Sequence, residues 1–202
     1  ADTESELASV IGHEITHVTQ RHLARSLEAQ QKSSTATIAG LLGAILLTIA
    51  SPQAGMAALA TTQALATQSK INYTRLHEKE ADRIGMQIMV DAGFDPNGAA
   101  DFFGKLATRY RFTTKPPQML LTHPLPESRI SEARIRAERY PFRYVPDNLD
   151  FQLAKARIQV RFSGYSEQAA LSIFEKQLKH NRYAFKSAAQ YGKALALFRL
   201  KK

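Results

Sequence analysis

His13, Glu14 and His17 are the residues of this chain whose types and spacing point most directly to chemistry; they stand in the run His13-Glu14-Ile15-Thr16-His17. On an α-helix, residues four apart lie on one face one turn apart, so the two imidazoles can converge on a single metal ion. Glu14, beside them, can reach a water polarised by that ion without binding the ion itself. That is the place of a general base in metal-assisted hydrolysis. The plainer alternative for so short a pattern is two ordinary helix histidines with Glu14 a solvated carboxylate.

The pattern carries meaning only on a helix, and the flanking residues supply one. Thr3 and Glu6 have capping-box spacing, and the apolar series Leu7, Val10, Ile11, Ile15 and Val18 predicts a helix running to about Leu27. Gly12 is its one interior weak point, and a missing side chain there suits close packing beside a metal. A break is expected at Gln30 to Thr35. Ser33 to Ser69 then holds no charged residue and divides at Ser51-Pro52 into runs from Ile38 to Ala50 and from Ala54 to Thr67. Each run falls short of the ~20 residues of a bilayer-spanning helix, so a packed hairpin covering the active-site side or a partner surface is expected. Peripheral membrane contact through 38–67 is the lesser alternative. Small residues such as Gly40, Gly43 and Gly55 would permit close helix contact in either case.

A second strong helix is predicted over about Ser69 to Val90, with a buried stripe of Ala81, Ile84, Gly85, Ile88 and Met89. Glu78 and Asp82, four apart, border that stripe, so a carboxylate ligand and a supporting carboxylate can both point inward. Glu80 is the alternative ligand; otherwise Glu80 and Lys79 are solvated, and His77 is a neighbour. Gly93 and Pro96 end this helix, and another is expected over Asn97 to Tyr110, presenting Ala100, Phe103, Leu106 and Ala107 to a core. A loop at Thr113 to Gln118 leads to the proline-stiffened turn around His123-Pro124, which opens a helix from about Glu127 to Tyr140.

Composition bounds the rest. With 202 residues and 44% hydrophobic content, the chain suits a domain plus a smaller module with a sizeable core. It has no cysteine, so metal binding must use histidines and carboxylates. The net charge of +9 lies in the second half, which could attract anionic lipid or acidic substrate. No nucleic-acid motif accompanies it, and solvated helix faces account for most of it.

His13-Glu14-Ile15-Thr16-His17, then Glu78-Lys79-Glu80-Ala81-Asp82, then His123-Pro124 followed by Arg129-Ile130 together resemble the M48 family of zinc metallopeptidases over about Ala1 to Tyr140. A metzincin would instead need Gly at position 20 and His at position 23, where this chain has Gln20 and Leu23, with His22 out of register. The resemblance implies a gluzincin arrangement with one Zn2+ held by His13, His17 and Glu78. Glu14 would be the base, and Asp82 the residue that orients the site. His123 and Arg129 would stabilise an oxyanion, or His123 would swing in as a fourth ligand and latch the site shut. Past Pro146, Leu149 to Phe162, Gly164 to Glu175 and Tyr183 to Leu200 resemble about one and a half tetratricopeptide units.

The implied fold is mainly α. A gluzincin-type metallopeptidase core lacking its N-terminal strands (1–145) would be followed by the start of an α-helical tetratricopeptide array (146–202), the whole reading as a fragment. Within the family the likeness is to the periplasmic type. That implies a zinc endopeptidase acting on unfolded or misassembled outer-membrane proteins and assisting their assembly, with the repeats meeting the barrel assembly machinery. The rival is a chaperone or docking module whose closed zinc site is structural.

Overall fold

The computed structural model describes residues 1–111, 123–124 and 127–201. These hold eight helices and no strand: α1 (Glu4–Thr19), α2 (His22–Ala50), α3 (Pro52–Asp91), α4 (Asn97–Tyr110), α5 (Glu127–Ala137), α6 (Leu149–Arg161), α7 (Glu167–Lys179) and α8 (Lys186–Leu200). The expected loop at Thr113 to Gln118 lies outside the described residues. The chain separates into two compact units, one of residues 5–143 and one of residues 1–4 with 144–202.

In the larger unit α1 ends earlier than its apolar pattern suggests. Arg21 adopts a left-handed conformation (φ 53°, ψ 40°), breaking the helix after Thr19 and starting α2 at His22. From there α2 runs unbroken to Ala50, and α3 runs unbroken from Pro52 to Asp91, so the breaks expected at Gln30 to Thr35 and before Ser69 do not occur. The polar residues in those stretches include no glycine or proline to stop a helix. Their hydroxyls bond back to preceding carbonyls, as Ser34 Oγ does to Gln31 O (2.7 Å) and Thr37 Oγ1 to Ser33 O (2.8 Å). The hairpin turn falls at Ser51-Pro52 as expected. Ser51 Oγ accepts from Ala54 N (3.3 Å), and proline opens the next helix where its missing N–H costs nothing.

Small residues set the hairpin spacing. A Cβ at Gly55 would lie 2.6 Å from Thr48 Cα, and one at Gly40 would lie 2.9 Å from Thr62 Cγ2. The outward faces remain apolar, with Ile38, Leu42, Ile45, Leu46, Ile49, Met56 and Leu65 all exposed. By length and composition α2 is apolar enough to cross a membrane.

The apolar side chains of α1 do not form its buried face. Leu7, Ile11, Ile15 and Val18 are exposed, while Ser5, Glu6, Ser9, Gly12, His13 and Thr16 are buried. Each buried polar group has a partner: Thr16 Oγ1 donates to Gly12 O (2.8 Å), Ser5 Oγ accepts from Asp95 N (3.1 Å), and Lys105 Nζ meets Glu6 Oε1 (2.5 Å). This face meets α3 where Gly12 lies against Gly85. A Cβ on Gly12 would sit 2.6 Å from Gly85 O, and one on Gly85 would sit 2.7 Å from His13 N. Only a pair of glycines lets the two backbones come so close. The apolar core lies beside this crossing, where Met86 and Met89 of α3 pack with Ala99 and Ala100 of α4 and Ala133 and Ala137 of α5. Ile84 and Ile88, expected in the buried stripe, are half-buried, and Met86 takes their place.

The smaller unit is built around Phe174. Asn148 caps α6, its side chain accepting from Asp150 N (2.9 Å), and Ser166 caps α7, accepting from Ala169 N (3.2 Å). Ala156, Val160, Ala170, Leu171, Phe174 and Ala196 are buried together. Gly192 of α8 leaves the space that the Phe174 ring fills. The three helices lie within a few residues of the segments expected from sequence.

Candidate metal centre

The contact of Gly12 with Gly85 brings His13, beside the crossing, and His17, just over one turn along α1, against Glu78, about two turns from the crossing on α3. His13 Nε2 and His17 Nε2 are 3.0 Å apart. Glu78 Oε2 is 3.4 Å from the first, and Glu78 Oε1 is 3.3 Å from the second. His123 completes the group, its Nδ1 2.9 Å from Glu78 Oε1 and 3.4 Å from His13 Nε2. One donor atom from each of the four residues lies within 4.8 Å of the others, a set that could hold a metal ion.

The donor chemistry fits a cation. Asp82 Oδ1 lies 2.9 Å from His13 Nδ1. A carboxylate only accepts, so that nitrogen carries the hydrogen and Nε2 presents its lone pair to the group. Glu78 is buried, and its Oε2 pairs with Arg129 Nη1 at 2.8 Å. Its Oε1 is the oxygen that faces the ring nitrogens of His17 and His123, and imidazole nitrogens with a carboxylate oxygen are the donor types of a zinc site. Without an ion, burial opposes charge on His13, but hydrogen bonds and attraction from Asp82 and Glu78 outweigh it and raise its pKa to about 9. Glu78 is likewise held well below the ordinary carboxylate range. Burial opposes that shift, while bonds to His123, His13 and His17 and the charge of Arg129 drive it.

Arg129 is buried and wholly occupied. Its Nε and Nη2 donate to the two oxygens of Asp82, each at 2.7 Å, while Nη1 donates to Pro124 O at 2.7 Å and pairs with Glu78 Oε2 at 2.8 Å. The guanidinium also lies over the Phe103 ring, 4.7 Å from its centroid. Against burial, the bonds from His13 and Arg129 keep the Asp82 pKa low. The expectation that Arg129 faces a reacting carbonyl does not match this placement, because its donors are spent on Asp82, on Glu78 and on the backbone beside His123. Glu14 is different: its side chain is 53% exposed, and its Oε1 lies 3.7 Å from His123 Nε2. A cavity of about 40 Å³ adjoins it, lined by His13, Glu14, His123 and the apolar Val10, Phe103 and Leu106. That is room for a water molecule.

A model of peptidase family M48 matches residues 1–137. The chain belongs to peptidase family M48. Among M48 relatives, a Vibrio cholerae protein is 53% identical over 201 residues, covering 100% of this chain and 42% of its own. The beta-barrel assembly-enhancing protease of Yersinia pestis is 48% identical over 201 residues, 100% of this chain and 41% of that protein. That of Escherichia coli (strain K12) is 49% identical over 195 residues, 96% of this chain and 40% of that protein. This M48 chain therefore spans about two fifths of the length of the curated relatives it matches.

Beside the four-residue group the M48 chain has a second polar cluster that sequence reasoning missed. Glu80 is not solvated: its Oε2 lies 3.1 Å from His22 Nε2 and accepts from Arg25 Nη1 at 2.9 Å. Lys79 pairs with Glu132 at 3.0 Å. His22 stacks on His77, with centroids 4.2 Å apart and planes 4° from parallel. Burial first, and then the positive charges nearby, hold both imidazoles below the ordinary histidine pKa. His22 Nδ1 reaches His17 Nδ1 at 2.9 Å. A histidine five residues after His17 belongs to no motif, and its approach depends on the left-handed turn at Arg21, which arginine does not announce.

Proposed function

We propose that this chain carries the catalytic centre of a zinc endopeptidase. His13, His17 and Glu78 would be its metal ligands, Glu14 its general base and Asp82 the residue that orients His13. What supports this is the convergence of two imidazoles from α1 and a carboxylate sixty residues later in α3, with an exposed carboxylate at the edge of a water-sized cavity. Two nitrogen donors and one oxygen donor suit catalytic zinc, whose fourth position would be open to water when His123 stands aside. Zinc, when bound, supplies Lewis acidity to a water and to the scissile carbonyl. Glu14 takes the proton from the water and passes it to the leaving amine. Asp82, clamped by Arg129, keeps the His13 Nε2 lone pair aimed at the group. Arg129 is thereby a positioning residue.

The decisive experiment compares Glu14→Gln with wild type in the full-length protein, measuring zinc content and cleavage of an unfolded outer-membrane protein. Zinc content should be unchanged and the cleavage rate should fall by about 10²- to 10⁴-fold. Cleavage near the wild-type rate would remove Glu14 from this role.

A second state of the same centre is favoured by one observation: His123 lies inside the donor group, 2.9 Å from Glu78 Oε1. As a fourth ligand it would occupy the position a substrate water needs and hold the enzyme latched. His123→Ala should then raise basal cleavage. A fall to the Glu14→Gln level would make His123 a stabiliser of the reacting oxyanion, and zinc retention without cleavage by any variant would favour the non-catalytic docking module.

The Yersinia pestis and Escherichia coli relatives are named beta-barrel assembly-enhancing proteases, which supports a protease role in β-barrel protein assembly; misassembled outer-membrane proteins as substrates and a periplasmic location are proposed on that ground. Residues 1–145 would form the peptidase domain. The helical hairpins of 146–202 are proposed as the start of a tetratricopeptide array that meets the barrel assembly machinery. The exposed apolar residues of 38–67 support peripheral contact with a membrane.

A further inference from the structure

His17 has a second ring nitrogen, and its surroundings are as ordered as those of the first. Nδ1 of His17 lies 2.9 Å from Nδ1 of His22, and Nε2 of His22 lies 3.1 Å from Glu80 Oε2, which Arg25 also holds at 2.9 Å. We infer that His22 and Glu80 are positioning residues of the metal centre, a relay in which Glu80 fixes the tautomer of His22 and His22 fixes that of His17. The inference rests on the zinc reading above and deepens it.

The proton positions follow from what each group can donate. An ionised carboxylate has only acceptors, so His22 Nε2, facing Glu80, must carry a hydrogen. A neutral imidazole carries one, which leaves His22 Nδ1 with a bare lone pair. The nitrogen facing that lone pair must donate, so His17 Nδ1 holds its hydrogen. His17 Nε2 is then the lone-pair nitrogen, and it is the atom 3.0 Å from His13 Nε2 and 3.3 Å from Glu78 Oε1. With every proton in the relay reversed, His17 would present an N–H to the centre and could not bind a cation. Asp82 sets His13 by direct contact, and Glu80 sets His17 through an intervening ring. Orientation of metal-bound histidines through their second nitrogen is a general requirement of such centres.

The surroundings of His22 fit this task better than that of a filler. The ring is buried, and its plane is fixed by stacking on His77. His77 is in turn bordered by the edge of Tyr73, with centroids 4.3 Å apart, and its Nδ1 lies 3.3 Å from Ser26 Oγ. His22 is carried into place by the left-handed backbone at Arg21, a conformation unfavourable for any residue with a Cβ. Neither His22 nor Glu80 touches the water-sized cavity beside Glu14, so neither is a catalytic residue.

The test uses the full-length protein, with imidazole ¹⁵N NMR on the metal-free form and zinc affinity by competition with a chromophoric chelator. Metal-free wild type should show His22 protonated at Nε2. Glu80→Gln, whose amide can donate to His22 Nε2 and so release its tautomer, should show a mixture of His22 tautomers and bind zinc about 10- to 100-fold more weakly. Glu80→Asp, which keeps the carboxylate, should recover part of the loss, and Lys79→Gln should change neither reading. A wild-type His22 protonated at Nδ1, or a Glu80→Gln variant with wild-type tautomer and affinity, overturns the relay. Wild type that binds no zinc while showing the expected His22 tautomer would instead sink the zinc reading and leave the relay standing.

Discussion

Two helix contacts in this chain depend on glycine, and they use it for opposite ends. Where α1 meets α3, Gly12 and Gly85 let backbone touch backbone, and the residues buried beside them are polar: His13, Thr16, Glu78. Where α7 meets α8, Gly192 opens room for a ring, and the residues buried beside it are apolar: Phe174, Leu171, Ala196. The first contact fixes distances between donor atoms, which tolerate little error. The second fills volume, which neighbouring side chains can redistribute. The same residue type therefore marks a place where geometry is specified in one region and a place where space is shared in the other.

Substitution should separate the two sharply. In Gly85→Ala the new methyl meets His13 N at 2.7 Å and Gly12 C at 2.8 Å, atoms of a helix backbone that cannot turn aside. The helices must separate, and we expect zinc affinity to fall at least about 100-fold with a stability loss of about 3 kcal/mol or more. Chelator competition and urea unfolding read the two effects, and unchanged affinity would show that the crossing does not set the centre.

Acidity should separate the regions next. With metal removed, His13 has its pKa raised from 6.5 to about 9, so its contribution to stability is complete below pH 6.5 and is lost as pH rises through about 9. Glu78 and Asp82 are depressed instead. Their contribution is present above their unfolded values of 4.5 and 3.8 and is lost as pH falls through their lower folded values. The His13 shift alone corresponds to about 3 kcal/mol at most. Amide exchange in the metal-free protein should therefore quicken in α1 and α3 between pH 6.5 and 9, after correction for intrinsic rates. Helices α6 to α8, whose buried cluster holds no ionisable group, should hold steady.

The smallest effect is expected at Gly192→Ala. There the atoms nearest the added methyl belong to the Phe174 ring, a side chain rather than backbone, so the cost should be about 1 to 3 kcal/mol with zinc affinity unchanged. A loss of zinc from this variant would mean that the two regions are not energetically separate.

Much of this could be read from the chain beforehand. His13, His17 and Glu78 announced themselves because four-residue spacing on helices fixes which side chains share a face, and Ser51-Pro52 announced the hairpin because serine caps and proline starts. The orientation of α1 could not be read this way: Leu7, Ile11, Ile15 and Val18 make an apolar stripe, yet the glycine contact and the polar pairs decide which face is buried. The lengths of α2 and α3 were obscured because runs of Gln, Ser and Thr look like loops while their hydroxyls are satisfied within a helix. Arg129 resembled a substrate-facing cation until its donors were seen to be spent on Asp82, Glu78 and Pro124. His22 gave no signal at all, since it depends on an arginine in a backbone conformation that glycine usually fills.

The uninterrupted course of α3 from Pro52 to Asp91 has a mechanical consequence. At 1.5 Å per residue, Glu78 lies about 10 Å from the fulcrum at Gly85, and the hairpin end lies about 50 Å from it. To the extent that the rod stays straight, a 5 Å push on the far arm moves the carboxylate by about 1 Å, enough to matter among atoms spaced like these. Whatever grips the outer end of the hairpin thus holds the long arm of a lever whose short arm ends in the metal centre.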